Sequence, residues 1–110
     1  MLAFVLPFRN SMSLNEEEAK RIAHAIAFGH AYEKHAANVS ESGELITQSS
    51  FESLILATLL NPVKSRQLKT GRSVFWNAEE GFLVVVNLLD PDLGTAYWPI
   101  GGIDGYKVIR

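Results

Sequence analysis

The sequence contains no cysteine, which excludes disulfide stapling, a cysteine nucleophile and every zinc site built on thiolates. Stability has to come from packing. Proline is scarce at 4 residues and glycine is ordinary at 8, so the composition is not that of a linker or a low-complexity tail. Neither charge sign dominates: 10 basic against 12 acidic residues give a net −2, and no global field draws the chain to nucleic acid or an acidic membrane. The apolar start, Met1 to Phe8, lacks the basic flank of a signal peptide and the length of a membrane helix, and reads as a strand or packed arm. Nucleotide-driven and serine-hydrolase chemistries are disfavoured because neither a P-loop, a dinucleotide fingerprint nor G-x-S-x-G occurs; HExxH is absent too. Nothing repeats with a period of about 20–50 residues, which excludes solenoids and propellers.

What is present suits one domain: 110 residues, 47% of them hydrophobic, enough for a single core. Ser13 and Glu16 have capping-box spacing, and Glu16, Glu17 and Glu18 follow where a helix N-terminus favours negative charge. The apolar positions Ile22, Ala25, Ile26, Gly29, Tyr32 and Ala36 then share one helical face, which predicts a helix to about Asn38. A turn at Ser40 to Gly43 follows. Ser49 and Glu52 repeat the cap ahead of a second helix, which Asn61-Pro62 ends. Beyond Arg72, Ser73 to Asn77, Phe82 to Leu89, Thr95 to Ile100 and Tyr106 to Arg110 are rich in β-branched and aromatic residues, separated by turn residues at Ala78 to Gly81, Asp90 to Gly94 and Gly101 to Gly105. The expected fold is α+β: an arm over 1–12, a helical part over 13–62, and a four-stranded antiparallel sheet over 72–110 against which the helices pack. The helices would cover one face of the sheet, leaving the other face, or a cleft at its edge, for function.

Candidate chemistry lies in three places. Lys64, Arg66, Lys69 and Arg72 put four positive charges into nine residues, which leaves −6 on the rest of a chain whose net charge is −2. A basic loop between helix and sheet is either a solvated surface or a phosphate-contacting one, and in the second case Lys64, Arg66 and Lys69 are substrate-binding candidates. The three histidines, His24, His30 and His35, fall in the first helix, and histidine is the side chain suited to proton transfer near neutral pH. His24 reads as a surface or satisfied polar residue. On a helical wheel Lys34 lies about 40° from His30, but His35 lies about 140° away. Either the helix bends or ends near Ala31 to His35, or only one of that pair works in the site. The third place is Gly94-Thr95-Ala96-Tyr97, where Thr95 can donate to a phosphate and Tyr97 shares its sheet face. Trp76 and Trp98 read as core aromatics. Asp90 and Asp92 lie in a turn that Pro91 already explains, and nothing points to a metal ligand set.

Taken together, Gly29-His30-Ala31-Tyr32-Glu33-Lys34-His35, Gly71-Arg72-Ser73-Val74-Phe75-Trp76, Val84-Val85-Val86-Asn87 and Gly94-Thr95-Ala96-Tyr97 with Pro99 resemble the C-terminal toxin domains of contact-dependent growth inhibition and other polymorphic toxin systems. More broadly they resemble the barnase, EndoU, colicin and RelE-like ribonuclease superfamily. The resemblance runs from about His24 to Tyr106. It implies a barnase-like frame and a metal-independent endoribonuclease, without cofactor, that cleaves tRNA. It also implies delivery from a producing bacterium into the cytoplasm of a target cell, no membrane insertion by this domain, and a cognate immunity protein as partner. By position it carries catalytic roles to His30, Lys34, His35, Arg72 and Thr95: His35 or His30 deprotonates the ribose 2′-hydroxyl, Lys34 and Arg72 stabilise charge on the phosphoryl oxygens, and Thr95 holds one of them. The expected products are a 2′,3′-cyclic phosphate and a 5′-hydroxyl. The alternative is a noncatalytic protein-interaction domain that uses the same sheet. What separates the two is whether the five residues converge in one cleft; if they scatter over different faces, the interaction domain is preferred.

Overall fold

A computed structural model describes residues 14–36 and 46–110, the side chains of His35 and Ala36 excepted. The expected arm, Ser13 and the expected turn at Ser40 to Gly43 lie outside the described residues. Helix α1 spans Glu16–Ala27, and its cap is Asn15, whose side chain accepts the Glu18 N–H at 2.8 Å. The three glutamates therefore occupy its first turn, as the charge pattern requires, but the cap is Asn15 rather than Ser13. Ala19, Ile22, Ala23, Ile26 and Ala27 bury the inner stripe of α1. Helix α2 spans Gln48–Leu60; Thr47, two residues before the expected Ser49, caps it by accepting the Ser50 N–H at 3.0 Å. It stops at Asn61, before Pro62.

The first helix does not continue to Asn38. It stops at Ala27, and the chain then turns through Phe28 and Gly29, resumes helical geometry at His30, and widens into a π-helical turn over Tyr32–Ala36. The cause lies in a distant loop. The carboxylate of Asp92 accepts the His30 backbone N–H at 3.0 Å, a donor that an unbroken helix would send to the Ile26 carbonyl. The same carboxylate lies so close to Gly29 that a Cβ there would sit 2.5 Å from its carboxyl carbon, so only glycine admits the approach.

Four antiparallel strands form a meander in the order β1-β2-β3-β4: β1 Lys64–Gln67, β2 Ser73–Asn77, β3 Phe82–Val86 and β4 Gly94–Tyr97. The set of strands differs from the expected one at both ends. The basic segment read as a loop contains the edge strand β1, which no apolar residue announces. The expected strand at Tyr106 to Arg110 is instead part of helix α3, Ile103–Val108. Tyr106 and Val108 alternate as a strand would, but Ile103, Tyr106 and Ile109 pack together on the sheet at near-helical spacing. Strand β3 ends at Val86 rather than Leu89, and β4 ends at Tyr97 rather than Ile100.

The register sorts the side chains onto two faces. Phe75, Phe82, Val84, Val86 and Ala96 meet α1 and α2 around the fully buried Phe51, Ile55 and Leu59. Each buried Phe contributes about 1.5–3 kcal/mol, so this layer carries much of the stability. Trp98 packs at its margin, 4.8 Å from Phe82 and 6.0 Å from Phe51 between ring centroids. On the opposite face Val74, Trp76, Leu83 and Val85 are covered by Tyr106, Ile103 and Ile109. That face was one of two places expected to be left for function; α3 closes it, and the sheet edges remain. Arg66 fastens α3, donating to the carbonyls of Tyr106 at 2.7 Å, Lys107 at 3.2 Å and Ile109 at 2.6 Å, with its guanidinium 4.7 Å from the Tyr106 ring centre. A cation on the last carbonyls of a helix complements its dipole as well as its unpaired acceptors. Among the described residues no helix is long and apolar enough to cross a membrane.

Candidate functional site

The break after α1 places His30 at the surface with a fixed orientation. Its Nδ1 lies 2.7 Å from Asp92 Oδ2, the oxygen that also accepts its backbone N–H at 3.0 Å. The His30 side chain is 92% exposed and that of Asp92 25%, so the carboxylate forms the floor of the site and the imidazole projects from it. An ionised carboxylate only accepts hydrogen bonds, so Nδ1 carries the proton and the lone pair of the neutral ring sits on Nε2. The backbone hydrogen bond from His30, then the side-chain one, hold the Asp92 carboxyl below its usual value.

The loop between β3 and β4 is built to deliver Asp92. Asn87 Oδ1 accepts the Leu89 N–H and Asp90 Oδ1 accepts the Asp92 N–H, each at 3.1 Å. The Asp90 N–H donates to the Asn87 carbonyl at 3.0 Å, the Leu93 N–H to the Asp90 carbonyl at 2.9 Å, and the Asn87 N–H closes the loop on the Leu93 carbonyl at 2.9 Å. Leu93 adopts a left-handed conformation, φ 63°, which costs a non-glycine residue roughly 1–3 kcal/mol. Strain of this kind persists where the surroundings over-determine the backbone, and here it sits next to the carboxylate that orients His30.

Of the other candidates, Lys34 lies one helical turn beyond His30, exposed, in the π-helical turn. The backbone of His35 follows it; its side chain lies outside the described part. The remaining candidates belong to a different region. The register aligns Arg66, Val74, Val85 and Thr95 in one row and Lys64, Trp76, Leu83 and Tyr97 in the next, both on the face covered by α3. Thr95 is half-buried there, and burial pushes the Tyr97 phenol up, keeping it protonated. Arg72 donates to Thr70 Oγ1 at 3.3 Å and to the backbone carbonyl of Arg110. Lys69 is exposed in the short turn Lys69–Gly71 between β1 and β2. The four catalytic candidates whose side chains are described thus do not share one cleft: His30 and Lys34 sit on the helical side, and Arg72 and Thr95 belong to the face toward α3.

Asp92 is the site residue that the sequence did not single out. Its partner is 62 residues away, and the proline beside it offered a sufficient local explanation for an acidic turn. A hollow of about 100 Å³ between α1 and the sheet, lined by Leu14, Ile22, Phe75, Val86 and Leu88 together with Glu18 and Ser73, lies among other residues. Among the described residues no three of His, Cys, Asp and Glu gather into a group able to hold a metal ion. No family model, no curated protein and no solved structure matches the chain.

Proposed function

We propose that the chain is a metal-independent endoribonuclease whose reacting centre is the His30, Asp92 and Lys34 corner. The observation that carries this reading is the imidazole of His30, oriented by a carboxylate through Nδ1 and open to solvent at Nε2. That is the arrangement a general base needs: a fixed tautomer, a partner for the imidazolium that forms, and access to the substrate proton. Nε2 takes the proton of a ribose 2′-hydroxyl, the 2′-oxygen forms a bond to the adjacent phosphorus, and the bond from phosphorus to the 5′-oxygen breaks. The departing oxygen takes a proton from water. Lys34 supplies positive charge for the phosphoryl oxygens. In this reading Arg66 stabilises the fold, and Arg72 and Thr95 stand apart from the scissile phosphate.

The resemblance set out above supports tRNA as the substrate, delivery into the cytoplasm of a competing bacterium as the setting, and a cognate immunity protein as the partner in the producer. The second reading, a noncatalytic interaction domain, is favoured by the separation of Arg72 and Thr95 from His30 and Lys34, and by Leu88 and Leu89, which are 63% and 89% exposed in the loop that carries Asp92. Both broad faces of the sheet are covered, so such a domain would bind through this loop or a sheet edge. Incubating the purified chain with total tRNA in EDTA separates the two. The nuclease yields discrete fragments ending in a 2′,3′-cyclic phosphate; intact tRNA at high protein concentration favours the interaction domain.

A further inference from the structure

Two residues before His30, Phe28 ends α1 and is 49% exposed. A large aromatic left in water forgoes the stabilisation that burial would give it, and this one is held in a set orientation. His24, one turn earlier, stacks on it with ring centres 4.5 Å apart and planes 30° from parallel. His24 is itself tied across to α2, its Nδ1 3.1 Å from Glu52 Oε2. Glu52, His24 and Phe28 therefore form a short stack rooted on two helices. One face of the Phe28 ring is backed by an imidazole, and about half of the residue is left to solvent.

We propose that Phe28 is a stacking platform for a nucleobase of single-stranded RNA, next to the phosphate cleaved at His30; this rests on the ribonuclease reading above. Two residues of extended chain span at most about 7 Å, so the platform and the proposed base can serve neighbouring parts of one strand. Unpaired bases bind proteins chiefly by stacking on exposed aromatic rings, and a ring already fixed in place loses little freedom on binding. Lys34, on the far side of His30 along the chain, would take the phosphate. The site thus selects an unstacked nucleotide, as in a loop or a single-stranded end, over a nucleotide inside a duplex.

The test is a titration of a fluorescent single-stranded oligoribonucleotide blocked by methylation at every 2′-hydroxyl, against the wild type, Phe28→Leu and Phe28→Tyr. Stacking predicts that Phe28→Leu weakens binding roughly tenfold, while Phe28→Tyr retains it. An oligonucleotide with an abasic position at the stacked base is expected to remove the difference between wild type and Phe28→Leu. Phe28 is exposed, so both variants are expected to keep the wild-type circular dichroism and Tm. If the wild type cleaves RNA but Phe28→Leu binds the blocked strand equally well, the platform is overturned and the ribonuclease reading stands. That outcome also covers a Phe28 that serves a protein partner. If the wild type neither binds nor cleaves RNA, both are overturned.

Discussion

Replacing His30 with glutamine is expected to lower kcat for RNA cleavage by about 10²–10⁴-fold, measured in single-turnover assays on tRNA, with little change in Tm. Activity and stability separate here because the His30 ring is 92% exposed and contributes little buried surface. Asp92→Asn tests the orienting partner. The asparagine carbonyl can still accept one N–H, but it no longer holds Nδ1 by charge, so a smaller loss of kcat is expected. The pH dependence of stability follows from the carboxyl itself. Its value in the folded protein is lowered, so its contribution is fully present above the unfolded value of about 3.9. That contribution is lost as pH falls through the lowered folded value. The Tm difference between wild type and Asp92→Asn is therefore expected to be present at neutral pH and to shrink on strong acidification. A difference that grows toward acid contradicts the assignment, and unchanged cleavage by His30→Gln removes His30 from the chemistry.

Gly94→Ala is expected to be the most damaging single change to the fold. Gly94 opens β4 opposite Val86, with φ 141°, in a region that residues with a side chain rarely enter. A Cβ there would lie 2.0 Å from the Val85 carbonyl oxygen and 3.0 Å from its carbonyl carbon. The neighbour is sheet backbone, fixed on both sides by the ladder, so it cannot yield as a side-chain tip would. Backbone strain and the forced separation of β3 from β4 together cost roughly 3–5 kcal/mol. That is a large share of the 5–15 kcal/mol typical of a domain, and a fall in Tm of more than about 10 °C is expected by thermal denaturation. A variant that melts with the wild type contradicts the close approach. The Gly-Thr pair singled out in the sequence thus has a packing explanation for its first residue, whatever Thr95 does.

The parts of the fold that could be read in advance are those whose cause is local. The apolar stripe of α1 and the stop at Asn61-Pro62 need only the neighbouring residues, and so does the hairpin from β2 through Ala78 to Gly81 into β3. What escaped has its cause elsewhere in the chain. Strand β1, Lys64-Ser65-Arg66-Gln67, has no apolar alternation; it is held by the ladder to β2 and by Arg66 reaching the end of α3. Tyr106 to Arg110 reads locally as a strand, and the apolar face of β2 and β3 makes a helix of Ile103–Val108 instead. The basic cluster illustrates the same limit: its charges are legible, but two of its guanidinium groups turn out to hold backbone carbonyls near the end of the chain.

The site follows the same rule. The wheel showed that an unbroken helix could not aim His30 and His35 at one point. The agent of the break was hidden, because the carboxylate that takes the His30 backbone N–H lies 62 residues on. That one carboxylate takes the backbone N–H where α1 breaks and also holds the imidazole of the candidate site. Phe28 escaped for a related reason: its ring lies off the apolar stripe and became notable only once the helix stopped beneath it.

Action of His30 on a ribose 2′-hydroxyl is put to the test by one substrate: an RNA carrying a single 2′-deoxy substitution at the nucleotide 5′ to the mapped cut. With no hydroxyl to deprotonate, cleavage at that position is expected to disappear, while any other cut in the same molecule continues and the strand still binds. Cleavage of the substituted RNA at the same position, at the rate of the all-ribose strand, contradicts the 2′-hydroxyl as nucleophile and His30 as its base.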